Sequence, residues 1–183
     1  DTETSSLDPH NTDLIGISLS TKIGKACYIP IGHKTKKNID KDKVLRKLKP
    51  LLEDLSIKKI GQNIKFDFIV LYKNGIEITS IEDTMLMSYV LDAGKNRHNM
   101  DTLSEIHLNH KTVAFKDVVG SGKKEISFSQ VDIKKAKDYA AEDADITLRL
   151  YKKFFKSLKE EKMLNIYEIF EKPMIKILAF MEI

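Results

Sequence analysis

Leu14-Ile-Gly-Ile-Ser-Leu19 and Lys25-Ala-Cys-Tyr-Ile-Pro-Ile31 are two short apolar runs separated by a turn around Gly24. Runs of this length and composition, bounded by turn residues, read as strands, and so brief a connection makes them an antiparallel hairpin. Upstream, the turn-rich Asp8-Pro-His-Asn-Thr-Asp13 links the hairpin to a first strand that carries Asp1 and Glu3. Downstream, a polar loop over Lys34 to Asp42 precedes a helix expected from Lys43 to Leu55, kinked or broken by Pro50. A short buried strand is expected over Ile57 to Gly61, then a helix ending near Asn74-Gly75, then a strand over Ile78 to Ile81. Helices follow at Asp83 to Leu91 and Asp101 to Asn109, then a loop with Gly120-Ser-Gly122, then a long helix from Asp132 to Leu158. Three antiparallel strands followed by helix-connected strands predict an α/β domain, a mixed sheet flanked by helices.

A chain of 183 residues fits one domain with a sizeable core. Apolar residues at 42% beside charged ones at 32% describe a folded globular chain rather than a disordered one. The formal charge of +4 agrees with a polyanionic partner without selecting one. One cysteine, Cys27, excludes an intrachain disulfide framework and points to a reducing cytoplasmic setting, with Cys27 expected as a small core residue. No apolar run approaches membrane-spanning length, and no signal peptide is visible.

Four carboxylates occupy unexpected places. Asp1 and Glu3 alternate onto one face of the first strand. Asp67 shares a helical stripe with Ile64, Phe68 and Leu71, and Asp143 falls on the face defined by Ala136, Tyr139, Ala140, Ile146 and Leu150. An unpaired carboxylate facing a core costs on the order of several kcal/mol. These stripes hold no surplus of inward Lys or Arg to neutralise them, so a shared divalent cation is the economical partner. Carboxylates with water suit Mg²⁺ or Mn²⁺, and two such ions roughly 3.5–4 Å apart are the usual arrangement for phosphodiester cleavage.

Both ends read as cut from something longer. Asp1 would close a first strand whose upstream half is missing, and its free α-amino group would compete with a cation for that carboxylate. Met163 to Ile183 is almost continuously helical, with Pro173 the only interruption. Its segment Met174 to Met181 is apolar on more than one side, as suits a helix wedged between two domains.

Three pieces carry a family resemblance: Asp1-Thr-Glu-Thr-Ser-Ser-Leu7, Gly61-Gln-Asn-Ile-Lys-Phe-Asp67 and Tyr139-Ala-Ala-Glu-Asp143. They resemble the three motifs of the DEDD exonuclease superfamily, and Tyr139, four residues before Asp143, marks its tyrosine subclass. Asp83-Thr-Met-Leu-Met-Ser-Tyr89, Arg97-His-Asn-Met-Asp-Thr-Leu103 and His110-Lys-Thr-Val-Ala-Phe115 extend the likeness across the whole chain. With them the chain resembles the proofreading 3′–5′ exonuclease domain of the bacterial family A polymerases, DNA polymerase I. Each motif alone is weak, but three in order with matching connections are specific. Phe66 departs from the pattern, standing where a tyrosine is common.

The resemblance implies a ribonuclease H-like fold and a metal-dependent 3′–5′ exonuclease releasing nucleoside 5′-monophosphates. It implies that Asp1, Glu3 and Asp143 hold a first divalent ion and that Asp1 bridges to a second, held also by Asp67 partly through water. Tyr139 would orient the attacking water with help from Glu3. Leu7 and Phe115 would pack against the terminal bases of a single-stranded or frayed DNA 3′ end, and Gln62, Asn63 and Arg97 would lie near the last phosphates and sugar. The implied setting is a monomeric, cytoplasmic bacterial protein associated with the nucleoid, with no membrane contact. Residues 1–183 would form one exonuclease domain, and residues 163–183 a helix leading toward the polymerase domain of the same full-length chain. A free-standing exoribonuclease of the same superfamily and a non-catalytic structural domain are the alternatives.

Other features read as ordinary. His107 and His110 share a helix face but lack the further ligands of a zinc site. Gly120-Ser-Gly122-Lys123-Lys124 lacks the first glycine and the final Ser or Thr of a phosphate loop, leaving a flexible basic turn. Glu142 and Asp145 are expected as solvated or paired charges, and Lys152, Lys153, Lys156 and Lys159 as the polar side of a helix end.

Overall fold

The hairpin and the first strand form a three-stranded antiparallel sheet in the order β1-β2-β3, from Thr2–Thr4, Leu14–Lys22 and Lys25–Pro30, with β2 at its centre. A computed structural model describes residues 1–34 and 37–183, so Thr35 and Lys36 of the expected polar loop lie outside the described residues. Both faces of β2 are covered, which explains why Leu14, Ile15 and Ile17 are all apolar and buried. A second sheet is the parallel pair β4 (Lys59–Gly61) and β5 (Ile81–Asp83), joined in register Lys59↔Ile81 and Gly61↔Asp83. The mixture of antiparallel and parallel strands is as expected, but the ladders fall into two sheets rather than one.

The helices run α1 (Lys41–Leu52), α2 (Ile64–Lys73), α3 (Thr84–Asp92), α4 (Met100–Leu108) and α5 (Phe115–Val119). After them come α6 (Ile133–Glu160), α7 (Leu164–Ile166) and α8 (Lys172–Glu182). Asp40 caps α1 by accepting from the Lys43 amide at 2.7 Å, and Asp132 caps α6 from Lys134 at 2.9 Å. Pro50 falls in the last turn of α1, where the helix ends two residues later at Leu52.

Two strand expectations are corrected. Ile78 is buried but not in a strand: Thr79 bonds back to Leu52, and Ser80 takes a left-handed conformation, so pairing starts at Ile81. Ile57 is 39% exposed and precedes β4. Cys27 is also exposed, because its neighbour Tyr28 takes the inward position on β3. The break near Pro173 is a π-helical turn over Tyr167–Glu171 that ends before the proline, which has no N–H to donate.

The 28-residue α6 unites the molecule. Its first turns, through Ala136 and Ala140, pack under the hairpin with Val118, Phe128 and Val131. Its later turns, through Ile146, Leu150, Phe154 and Leu158, pack with Met87, Leu103 and Tyr167. A third cluster joins Leu14 and Ile17 to Phe68 and Ile69 of α2 and to Ile175 and Ala179 of α8.

Asp83 holds the turn that aims α2. Its buried carboxylate accepts from Asn63 at 3.1 Å and Ile64 at 2.9 Å, and from Met85 at 2.8 Å at the head of α3. One side chain thus caps two helices. Burial raises its pKa to about 6, and these N–H groups oppose the rise. Next to it, buried Glu82 receives Lys172 at 2.9 Å and the Tyr167 hydroxyl at 3.0 Å, tying the C-terminal helices to β5. Asp83→Ala should cost about 2–4 kcal/mol, because buried amides at two helix starts lose their acceptor. Urea unfolding of the variant measures this, and a loss below about 1 kcal/mol would mean that water replaces the cap.

Candidate active site

β1 presents Asp1 and Glu3 on one face, and α6 brings Asp143 to them. One carboxylate oxygen from each of the three lies within 4.8 Å of the other two. The ladder shifts register between Glu3 and Thr4, a bulge that bends the strand beside the cluster. Glu3 and Asp143 are buried, and Asp1 is the more accessible of the three. Asp67 projects from the first turn of α2 toward the same strand. Its Oδ1 accepts from the Thr2 amide at 2.7 Å and from Thr2 Oγ1 at 2.6 Å.

These charges are close and poorly compensated. Burial raises the Glu3 pKa to about 8, with the charges of Asp143 and Asp67 adding to the rise and the α-amino group opposing it. Burial likewise raises Asp143 to about 7, against the opposing hydrogen bond from Tyr139. Glu3 Oε1 is buried without a hydrogen-bond partner. An orphaned carboxylate oxygen facing two more carboxylates fits a cation: the donors are all hard oxygen, and a positive ion would reverse each of these shifts.

Tyr139 stands one helical turn before Asp143. Burial, then the charges of Asp143 and Glu3, push its hydroxyl pKa well above the ordinary range, so it stays protonated. Beneath Glu3, the Tyr28 ring crosses Gly16, the residue paired with Glu3 in the ladder; a Cβ at position 16 would sit 2.1 Å from the Tyr28 oxygen. Tyr28 meets His33 Nε2 at 2.7 Å, while His33 Nδ1 reaches the Val131 carbonyl at 3.1 Å. That pattern makes Nδ1 the protonated nitrogen and Tyr28 the donor.

The carboxylates open into a cleft of about 840 Å³. Its walls include Asp1, Glu3, Asp67, Tyr139 and Asp143, and also Leu7, Gln62, Asn63 and Phe115. Nine of the ten residues singled out from the sequence therefore meet in one cavity; Arg97 does not line it and is exposed between α3 and α4. Leu7 is 90% exposed at the mouth. Phe115 stacks on Phe128 at 6.2 Å with planes 7° apart, and lies 5.9 Å from the Tyr139 ring. Gln62 is engaged internally, donating to His98 O at 2.7 Å and receiving the Thr84 hydroxyl. Asn63 adopts a left-handed conformation at the α2 cap.

Sequence reasoning missed Phe128, Met100 and the Glu125–Ser127 segment, all of which line the cleft. No local pattern distinguishes Phe128 from a core residue, since its role depends on Phe115 thirteen residues earlier. Asp101 was also missed; its charge helps to raise both Asp143 and Tyr139, and its Oδ1 accepts from Thr112 at 2.6 Å. Glu142 and Asp145 are paired rather than solvated: Glu142 with His110 at 2.8 Å, Asp145 with Arg149 at 2.6 Å and the Gly24 amide at 2.6 Å.

A protein-family model described as 3′–5′ exonuclease matches residues 1–159. The DNA polymerase I of Rhizobium leguminosarum is 44% identical, over all of this chain and 20% of that protein. That of Pseudomonas aeruginosa is 41% identical, over all of this chain and 21% of that protein. The chain therefore spans about a fifth of the length of these curated relatives. Among solved structures, Brucella melitensis NrnC superposes with a TM-score of 0.73 at 23% identity, covering 98% of this chain and 80% of that one. A Mg²⁺-bound structure of the same protein gives 0.71 at 24% identity, with the same coverage.

Raised carboxylate pKa values in the metal-free protein have a definite sign. The fold favours protonated Glu3, so stability is full below the unfolded value of 4.5 and falls as pH climbs toward about 8. Glu3→Gln should remove most of that loss, raising metal-free stability at pH above about 8 by on the order of 2 kcal/mol and leaving it unchanged at acid pH. Thermal unfolding in chelator across pH measures it; equal effects at both ends would mean that Glu3 is not strained.

Proposed function

Because the chain belongs to the 3′–5′ exonuclease family, we propose that it hydrolyses DNA from the 3′ end, releasing nucleoside 5′-monophosphates. Its fold is the ribonuclease H-like one that the motifs implied. The observation that carries the activity is the orphaned Glu3 carboxylate set among Asp1 and Asp143 at the floor of an open cleft. A domain kept only as structural support has no use for a buried, unpartnered carboxylate oxygen set beside two further carboxylates.

Asp1, Glu3 and Asp143 would hold one divalent ion, and Asp1 with Asp67 a second, either Mg²⁺ or Mn²⁺. When bound, such ions lower the pKa of water and stabilise charge on the scissile phosphate and the leaving 3′ oxygen. Tyr139, kept protonated, orients the attacking water by hydrogen bonding, and Glu3 accepts from the same water. Phe115, braced by Phe128, offers a face to a terminal base, and Leu7, exposed on the same cleft, offers a second apolar contact. Such a grip favours unpaired ends, because a base must leave its stack to reach it. Asn63 and Gln62 border the last phosphates, Gln62 more as a brace of the wall than as a free donor. Arg97 would reach the strand from outside the cleft.

The parent protein would be a DNA polymerase I, with this domain correcting its errors in the bacterial cytoplasm, at the nucleoid, as a monomer. Residues 163–183 would lead into the polymerase domain. Ile169, Phe170 and Met181 leave an apolar face exposed on these helices while Ile175 and Ala179 pack inward, which suits a second domain on the outer side. Among the described residues no helix is long and apolar enough to cross a membrane.

A 5′-labelled single-stranded oligonucleotide should be shortened from its 3′ end in Mg²⁺ or Mn²⁺ and left intact in chelator. Asp143→Ala should lower the rate on the order of 100- to 1,000-fold. Phe115→Ala should raise KM about tenfold, the loss of one stacking platform worth about 1–3 kcal/mol. Internal cuts, chelator-resistant activity, or faster shortening of RNA than of DNA would overturn the reading.

A further inference from the structure

Thr2 lies between two of the cluster carboxylates in sequence but faces away from them. On the edge of β1 opposite β2, both its amide and its hydroxyl donate to one atom, Asp67 Oδ1, at 2.7 and 2.6 Å. Both residues are buried. Among the described residues β1 has a ladder partner on one side only, so the Asp67 side chain stands where a neighbouring strand's carbonyl would. Asp67 is therefore a structural acceptor and a cleft-lining carboxylate at once.

The two roles divide between its oxygens. Oδ1 holds two donors, which leaves Oδ2 as the oxygen available to the cleft and stops the carboxylate from turning to offer both. In agreement, Asp67 stands outside the group of three whose oxygens lie within 4.8 Å of one another. We infer that Thr2 is a positioning residue that makes Asp67 a one-oxygen ligand and so sets the affinity of the outer of the two cation positions. This rests on the cation-binding reading proposed above. Partners that orient a ligating carboxylate are worth about 10- to 100-fold in metal affinity. The middle residue of Asp1-Thr2-Glu3 thereby links the strand carrying two ligands to the helix carrying a third.

Thr2→Val keeps the β-branched shape and the backbone donor and replaces the hydroxyl with a methyl group; Thr2→Ser keeps the hydroxyl and loses the methyl. Mn²⁺ titration of the metal-free chain, followed by the paramagnetic resonance of free Mn²⁺, gives without substrate the number of ions bound and the affinity of each step. Wild type should show a tighter and a weaker site. In Thr2→Val the weaker should lose about 10-fold or more while the tighter is unchanged, and Thr2→Ser should restore it. Thr2→Val binding both ions as wild type does, or weakening both equally in step with a fall in Tm, would overturn the assignment. If wild type itself takes up no Mn²⁺, the cation reading fails and this inference with it, a result distinct from failure of the Thr2 step alone.

Discussion

The burial of acidic side chains beside one another is the constraint to which the rest of the structure answers. Glu3 and Asp143 are drawn out of water and held near each other and Asp1, a placement that the fold alone does not favour, while Asp67 is buried just outside that group. Each is restrained differently. Asp67 is fixed by two donors from Thr2, and Asp143 is eased by the Tyr139 hydroxyl, whereas Glu3 keeps one oxygen with no partner. The least satisfied group is Glu3, where a positive charge would relieve it and Asp143 together. Strain stored at such a point is affordable only if the surrounding frame is stiff.

That stiffness comes from polar joints deep in the frame. Asp83 ties the starts of α2 and α3, and adjacent Glu82 ties β5 to Lys172 and Tyr167. α8 braces the Asp67 helix from outside, with Phe180 edge-on to Phe68 at 5.5 Å and Lys176 over the Phe68 ring at 5.4 Å. The C-terminal helices thus pack directly against the helix that carries Asp67 and are tied to β5 beside the Asp83 turn. α6 carries the other half of the site, and its two apolar stretches hold Tyr139 and Asp143 between separate clusters.

Much of this was legible because it is local or periodic. The hairpin announced itself by two apolar runs around Gly24, and α6 by its repeat of small and aliphatic residues. Inward carboxylates stood out because their stripes were otherwise apolar. Contacts across long sequence separations were not legible. Nothing local marks Thr2 as the partner of Asp67, or Phe128 as the brace of Phe115. Ile78 misled because buried apolar residues need not be paired, and Cys27 because an apolar run on an edge strand still turns alternate residues outward. Arg97 was placed by motif position, whereas its loop holds it outside the cleft wall.

An anomalous difference map from crystals grown with Mn²⁺ tests the central claim most directly. Manganese should appear among the oxygens of Asp1, Glu3 and Asp143, with a second, weaker peak between Asp1 and the free oxygen of Asp67. Manganese bound elsewhere, with the three carboxylates turned apart or protonated against one another, would contradict the account.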